Sequence, residues 1–130
     1  MTPWYNNLIS SYPYLFSKIS YIETDKGWES IILTTCQFLH SQNSNINSPN
    51  QLCFSQIKEK FGSIRFYLDI NPYPNSTNLY INGFLLAMEK ISHYICESCG
   101  NPGSIQQFNN TLKCQCPTCA HNLYKILVFK

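Results

Sequence analysis

Apolar and polar positions divide this chain into segments of different period. Residues 4–16, WYNNLISSYPYLF, predict a short helix and then a proline-broken aromatic stretch, in which Tyr12, Tyr14, Leu15 and Phe16 dock on the rest. From residue 28 the period becomes helical: Trp28, Ile31, Ile32, Thr35, Cys36 and Leu39 recur at three- and four-residue spacing and mark one buried face. Thr24 or Asp25 is placed to cap that helix, and Glu29 lies early in it, where the helix dipole favours an anion. Cys36 is expected as a small core residue and His40 as a surface residue. Residues 41–50, SQNSNINSPN, read as a polar loop.

The period then changes to two. Ile64, Phe66, Leu68 and Ile70 alternate with Ser63, Arg65, Tyr67 and Asp69, the pattern of a half-buried strand. Alternation is weaker before Lys60-Phe61-Gly62-Ser63, where residues 54–60 also pass for a short helix. The glycine suits a tight turn, so an antiparallel hairpin is the expectation. After a second loop, NPYPNSTN, a helix is predicted from about residue 78 to 95, with Ser76 or Thr77 as its cap. Its expected apolar stripe is Leu79, Leu85, Leu86, Met88, Ile91 and Ile95, and it runs directly into Cys96. The last ten residues are again apolar and predict a final helix or strand that packs back.

No internal repeat and no linker divides the chain, so residues 1–130 are read as one small α+β domain. Only 12% of residues are charged and 44% are hydrophobic, which excludes a disordered chain. The formal net charge is +2, and four thiolates with one Zn²⁺ would add about −2. A near-neutral protein lacks the electrostatic footprint of a general nucleic-acid binder. Still, residues 51–130 carry seven Lys+Arg against four Asp+Glu, and the first fifty carry two against three. That asymmetry keeps a nucleic-acid-binding zinc module as the alternative. No segment has the roughly 18 consecutive apolar residues of a membrane span, and residues 1–7 lack a signal-peptide pattern, so a cytoplasmic protein is expected.

Seven cysteines then read as metal ligands plus buried thiols, not as a disulfide framework. Cys96-Glu-Ser-Cys99 and Cys116-Pro-Thr-Cys119 form C-x2-C-x16-C-x2-C, the spacing of a four-thiolate zinc site. Two intervening residues let one tight turn aim both sulfurs at a single ion, and Gly100 suits that turn. The sixteen residues between the pairs are long enough for a hairpin, which predicts a zinc ribbon over about residues 96–120. Cys36, Cys53 and Cys114 are left over, and Cys114 and His121 stand close enough to serve as reserve ligands. Four cysteines close the zinc shell, whereas a catalytic zinc keeps an open position. The deaminase pattern H-x-E…P-C-x-x-C is absent, as are histidines between the knuckles, a G-x-S-x-G elbow and a phosphate-binding glycine loop. The expectation is a protein that is not an enzyme.

The segments YPYLF (12–16), GWESIILTTC (27–36), QIKEKFGSIRFYLD (56–69), CESCGNPGSI (96–105) and CPTCA (116–120) occur in an order that resembles a family of small uncharacterised proteins from phages, prophages and bacterial genomes. The resemblance spans about residues 12 to 120, with KEKFGxxRFY and CExCGxPG as its specific parts. It implies a small metal-binding protein encoded by a mobile element. By analogy with phage proteins of this size, it implies a host or defence-system protein as partner, as in anti-CRISPR activity.

One other stretch carries a surface message. If the apolar side of the hairpin faces the core, Gln56, Lys58, Lys60, Arg65 and Tyr67 share its outer side, a basic face with an aromatic. This is the expected partner-binding patch.

Overall fold

The structure, a computed structural model, describes residues 2–45, 51–69 and 75–128. It is α+β, with two antiparallel hairpins, a long helix, a C-terminal helix and a cysteine cluster near the C-terminus. The elements run α1 (Asn6–Ser11), a 3-10 turn (Lys26–Trp28), α2 (Glu29–Asn45), β1 (Phe54–Lys60), β2 (Ser63–Leu68), α3 (Asn75–Ser92), β3 (Ser104–Phe108), β4 (Thr111–Gln115) and α4 (Pro117–Val128).

The core forms where the sequence places it. Trp28 in the turn before α2, and Ile31, Ile32, Thr35, Cys36 and Leu39 along it, are all buried and share the core with Leu15, Phe16, Phe54, Ile57 and Ile64. Burial in these apolar surroundings pushes the Cys36 thiol up to about 12, which makes it an inert core group. Leu15 and Phe16 dock as expected, whereas Tyr14 points to solvent. The polar run after His40 does not break the helix: α2 continues to Asn45, and residues 46–50 of the expected loop lie outside the described residues. Asn43 explains the extension. It is buried, its amide donates to the Leu52 carbonyl at 3.0 Å, and its Oδ1 accepts the Leu52 N–H at 2.7 Å. A polar side chain with both halves bonded can be buried at little cost.

The first hairpin pairs Gln56 with Tyr67, Lys58 with Arg65 and Glu59 with Ile64. A β-bulge between Phe54 and Gln56 accounts for the weak alternation of β1, because the extra residue shifts Phe54 and Ile57 onto the same buried side. Both outer edges are covered. The Glu23 N–H donates to the Ile57 carbonyl at 2.9 Å and the Glu59 N–H to the Glu23 carbonyl at 3.1 Å, so residue 23 acts as a short third strand beside β1. On the β2 side, Ser92 Oγ accepts the Ile64 N–H at 3.0 Å and Arg65 pairs with Glu89 at 3.0 Å, both from α3. An edge occupied in this way cannot template a foreign strand.

The long helix differs from its expected stripe. Ile81, Leu85, Met88 and Ser92 face the domain, while Leu79, Leu86 and Ile91 are exposed. The sequence supplies more apolar positions than one packing face can hold, and periodicity alone does not say which set wins. The helix begins at Asn75, ahead of the expected start, so Ser76 and Thr77 lie inside it; residues 71–74 of the expected loop, and Ile70 of the expected strand, lie outside the described residues. It also ends at Ser92, with a turn through His93 and Tyr94 before Cys96. His93 is half-buried there and its Nε2 lies 3.1 Å from Ser63 Oγ.

The turn between β1 and β2 holds Phe61 at φ 55° and Gly62 at φ 82°. Both central residues of such a turn need positive φ, a conformation asparagine tolerates and bulky residues do not. Replacing Phe61 by Asn is therefore expected to stabilise the fold by about 1 kcal/mol, read as a melting temperature raised by a few degrees. An unchanged or lowered melting temperature would mean that the ring's contact with Lys60, 5.7 Å from its centroid, outweighs the backbone strain.

Candidate metal centre

The first cysteine pair is held in a backbone knuckle. The Cys96 N–H donates to the Asn101 carbonyl at 2.7 Å, the Gly100 N–H to the Cys96 carbonyl at 2.9 Å, and Ile95 forms an antiparallel bridge with Pro102. Gly100 sits at φ +84°, so the expected role of that glycine holds. The chain then forms the second hairpin, with Ser104 opposite Gln115 and Phe108 opposite Thr111, and returns to Cys116.

The second pair differs in mounting. Cys116 immediately precedes α4 and Cys119 lies in its first turn. Pro117 occupies the first helical position, where its missing N–H is no loss. Cys116 serves as the cap: its sulfur accepts the Cys119 N–H at 3.3 Å, and its carbonyl accepts the Ala120 N–H at 2.8 Å. The bond from the Cys119 N–H is the main reason the Cys116 thiol is drawn down to about 7. Cys119 is pushed up, chiefly through the hydrogen bond it shares with Cys116.

Knuckle, hairpin and helix thus bring Cys96, Cys99, Cys116 and Cys119 together, with all four sulfurs within 4.8 Å of one another. Cys99 and Cys116 approach to 3.6 Å, far beyond a disulfide bond, and all seven cysteines are free. Tetrahedral thiolates on an ion at about 2.3 Å stand about 3.8 Å apart, so the donor set and its spacing fit a single metal ion. Cys96 and Cys116 are buried, Cys119 is half-buried and Cys99 is exposed, so the site has one wet edge.

Neither reserve ligand joins the group. Among the described residues the cluster consists of these four cysteines alone, and His121 is exposed. The Cys114 sulfur lies 3.1 Å from the Ile95 carbonyl and 3.3 Å from that of His93. Burial raises this thiol to about 11, so it stays protonated and donates to a carbonyl.

The knuckle is fastened to the start of α2, an attachment that local sequence patterns do not announce. Trp28 Nε1 donates to the Ile95 carbonyl at 2.8 Å, and the Gly27 N–H donates to the Glu97 carbonyl at 2.7 Å. The Asp25 N–H donates to Glu97 Oε2 at 3.1 Å. Neither Thr24 nor Asp25 caps the helix through its side chain; the acid comes from the knuckle, seventy-two residues away. Glu97 is buried, and desolvation raises its pKa against the opposing pull of the Asp25 N–H and Lys113. Gly27 permits the contact, because a Cβ there would fall 2.2 Å from the Cys96 carbonyl oxygen and 2.3 Å from that of Glu97. An acid between two paired cysteines and a Gly-Trp pair at a helix start are the only signals that foreshadow this joint.

The expected partner patch is split by the fold. Register places Gln56, Lys58, Lys60, Arg65 and Tyr67 on one face. However, Arg65 pairs with Glu89, and Gln56 donates to Glu23 Oε2 at 2.8 Å. Lys60 and Tyr67 remain exposed and Lys58 is half-buried. Among the described residues no helix is long and apolar enough to cross a membrane.

Fold and site together define a small α+β domain with a C-terminal four-cysteine cluster able to hold a metal ion. Compared with protein-family models, with curated proteins and with solved structures, the chain matches none.

The glycine contact makes a sharp prediction. Gly27→Ala must push two carbonyls aside and is expected to destabilise the protein by about 3 kcal/mol or more, measured by urea denaturation. A loss under about 1 kcal/mol would show that the knuckle can move off α2 freely.

Proposed function

We propose that this protein is a non-enzymatic, zinc-stabilised protein-binding module. The observation that carries this reading is the set of four convergent thiols, which would fill a tetrahedral shell around one ion and leave no ligand position for water or substrate. Borderline-soft Zn²⁺ is the divalent ion that such a set of free thiols favours. The ion's role is to hold knuckle, second hairpin and α4 in one piece. Binding energy at such sites is folding energy.

The class of partner is proposed from the resemblance to phage and prophage proteins: a host protein, and within that class a component of a defence system that the module blocks. The surface proposed to make the contact is the accessible part of the first hairpin, namely Lys58, Lys60 and Tyr67. Arg65 is left out because its guanidinium is already paired. Two cations and an aromatic at a rigid hairpin can steer and anchor an acidic protein surface.

Purified protein is expected to contain one zinc per chain by elemental analysis. Cys96→Ser or Cys119→Ser should lose both the metal and most of the cooperative melting transition, whereas Cys114→Ser should keep full stoichiometry. Protein with no zinc, or a Cys114→Ser variant that loses it, would refute the ligand assignment. For the surface, Lys58→Ala with Lys60→Ala and Tyr67→Ala should leave zinc content and melting nearly unchanged, since exposed substitutions shift stability by about 0.5 kcal/mol. Pull-down from the native host should then lose its captured protein. Retention of that protein would move the interface elsewhere, and a steeply salt-dependent shift of DNA or RNA would favour the nucleic-acid reading instead.

A further inference from the structure

The outer face of α3 is an apolar surface that the fold leaves exposed. Leu79, Tyr80, Leu86 and Ile91 are between 43 and 74% exposed, Tyr80 with one side of its ring against Phe38 of α2 at 5.6 Å between centroids, and Gly83, Ala87 and Lys90 lie exposed between them. These residues recur at three- and four-residue spacing, the pattern of a second helix-packing seam on the side opposite the buried stripe. Together they present on the order of 500 Å² of apolar surface, the upper range for a monomer with no partner.

Gly83 is a second, independent observation. It lies in the middle of α3, where glycine weakens a helix relative to alanine. Nothing within the described chain requires it: no atom lies within 4 Å of a Cβ built there, and its φ is an ordinary negative one. A mid-helix glycine without an internal reason marks a place where another backbone approaches.

We propose that α3 of one copy packs antiparallel on α3 of a second copy, forming a two-fold symmetric dimer. A two-fold axis level with the Leu85–Leu86 peptide bond sets Tyr80 of one copy opposite Ile91 of the other, and brings Gly83 to within one residue's rise of Ala87 and Leu86 to within one of its own mate. Small residues thus meet small ones at the centre, and large ones fill both flanks. Lys90, the one charged residue in the seam, falls beside the Tyr80 ring of the other copy, a contact with attraction and no like-charge clash. A self-complementary, nearly charge-free face fits a second copy better than an acidic partner, which is the job proposed for the first hairpin. The two copies together bury about 1,000 Å², the low end for a specific interface, so the dimer is weak, with a dissociation constant in the micromolar range. This inference is independent of the metal and of the proposed host partner.

Sedimentation velocity of the metal-loaded full chain, from about 1 to about 500 µM, reads it directly. The expected result is a shift from monomer to dimer mass across that range. Gly83→Arg should remain monomeric while melting at the same temperature or higher, because the isolated helix gains propensity and has room for the side chain. Ile91→Glu should also be monomeric, and adding Tyr80→Lys should restore the dimer by placing opposite charges across the axis. A wild type that stays monomeric throughout overturns the proposal. So does a Gly83→Arg variant that dimerises like the wild type. A dimer that survives Ile91→Glu, or is not restored by the second change, overturns this register.

Discussion

The structure depends on one joint, the seating of the Cys96 knuckle against the start of α2. Three contacts converge there: the Trp28 indole on the Ile95 carbonyl, the Gly27 N–H on the Glu97 carbonyl, and the Asp25 N–H on the Glu97 carboxylate; behind them the Glu97 N–H donates to the Cys114 carbonyl of β4. Trp28 is also the largest fully buried side chain of the core. One residue therefore belongs to the hydrophobic interior and also holds the chain just before the cysteine knuckle. Orphan N–H groups at the beginning of a helix need acceptors, and here the acceptor is supplied by the cysteine knuckle. Each half of the protein finishes the other.

This arrangement gives a small domain the stability that its size alone does not guarantee. A chain of 130 residues builds a modest core, and nearly all of the core shared by α2 and the first hairpin precedes residue 70. Beyond that residue come α3 and a second unit of knuckle, hairpin and helix, in which Cys96, Phe108, Cys114 and Cys116 are the main buried apolar groups among the described residues. Lys113 reaching Glu59 at 3.1 Å and Ile105 pressed on Gly62 add a second seam between the two hairpins.

Much of this was legible in the sequence, for identifiable reasons. The spacing of the cysteine pairs announces that they converge, and the face of α2 repeats with a clean helical period. The first hairpin is marked by its glycine and by the strict alternation of β2. Other features carry no periodic trace. The bulge in β1 disguises its alternation, and α3 offers two apolar stripes of which the fold takes one. Asn43 extends a helix through a run of loop-forming residues by bonding to Leu52, which no local rule foresees. The roles of Gly27 and Glu97 are tertiary from the start, since each exists only because residues some seventy positions apart come within hydrogen-bonding distance.

Hydrogen exchange of the metal-loaded protein before and after chelation tests the joint most directly. If the cysteine cluster organises α2 through the knuckle, removing the ion should release the amides of Asp25 and Gly27 and the first turn of α2 together with residues 95–103. The middle of α2 and the strands β1 and β2 should retain more protection than that joint. Loss of protection confined to residues 96–119, with Asp25, Gly27 and the start of α2 as slow as before, would contradict the account and reduce the cluster to a local staple.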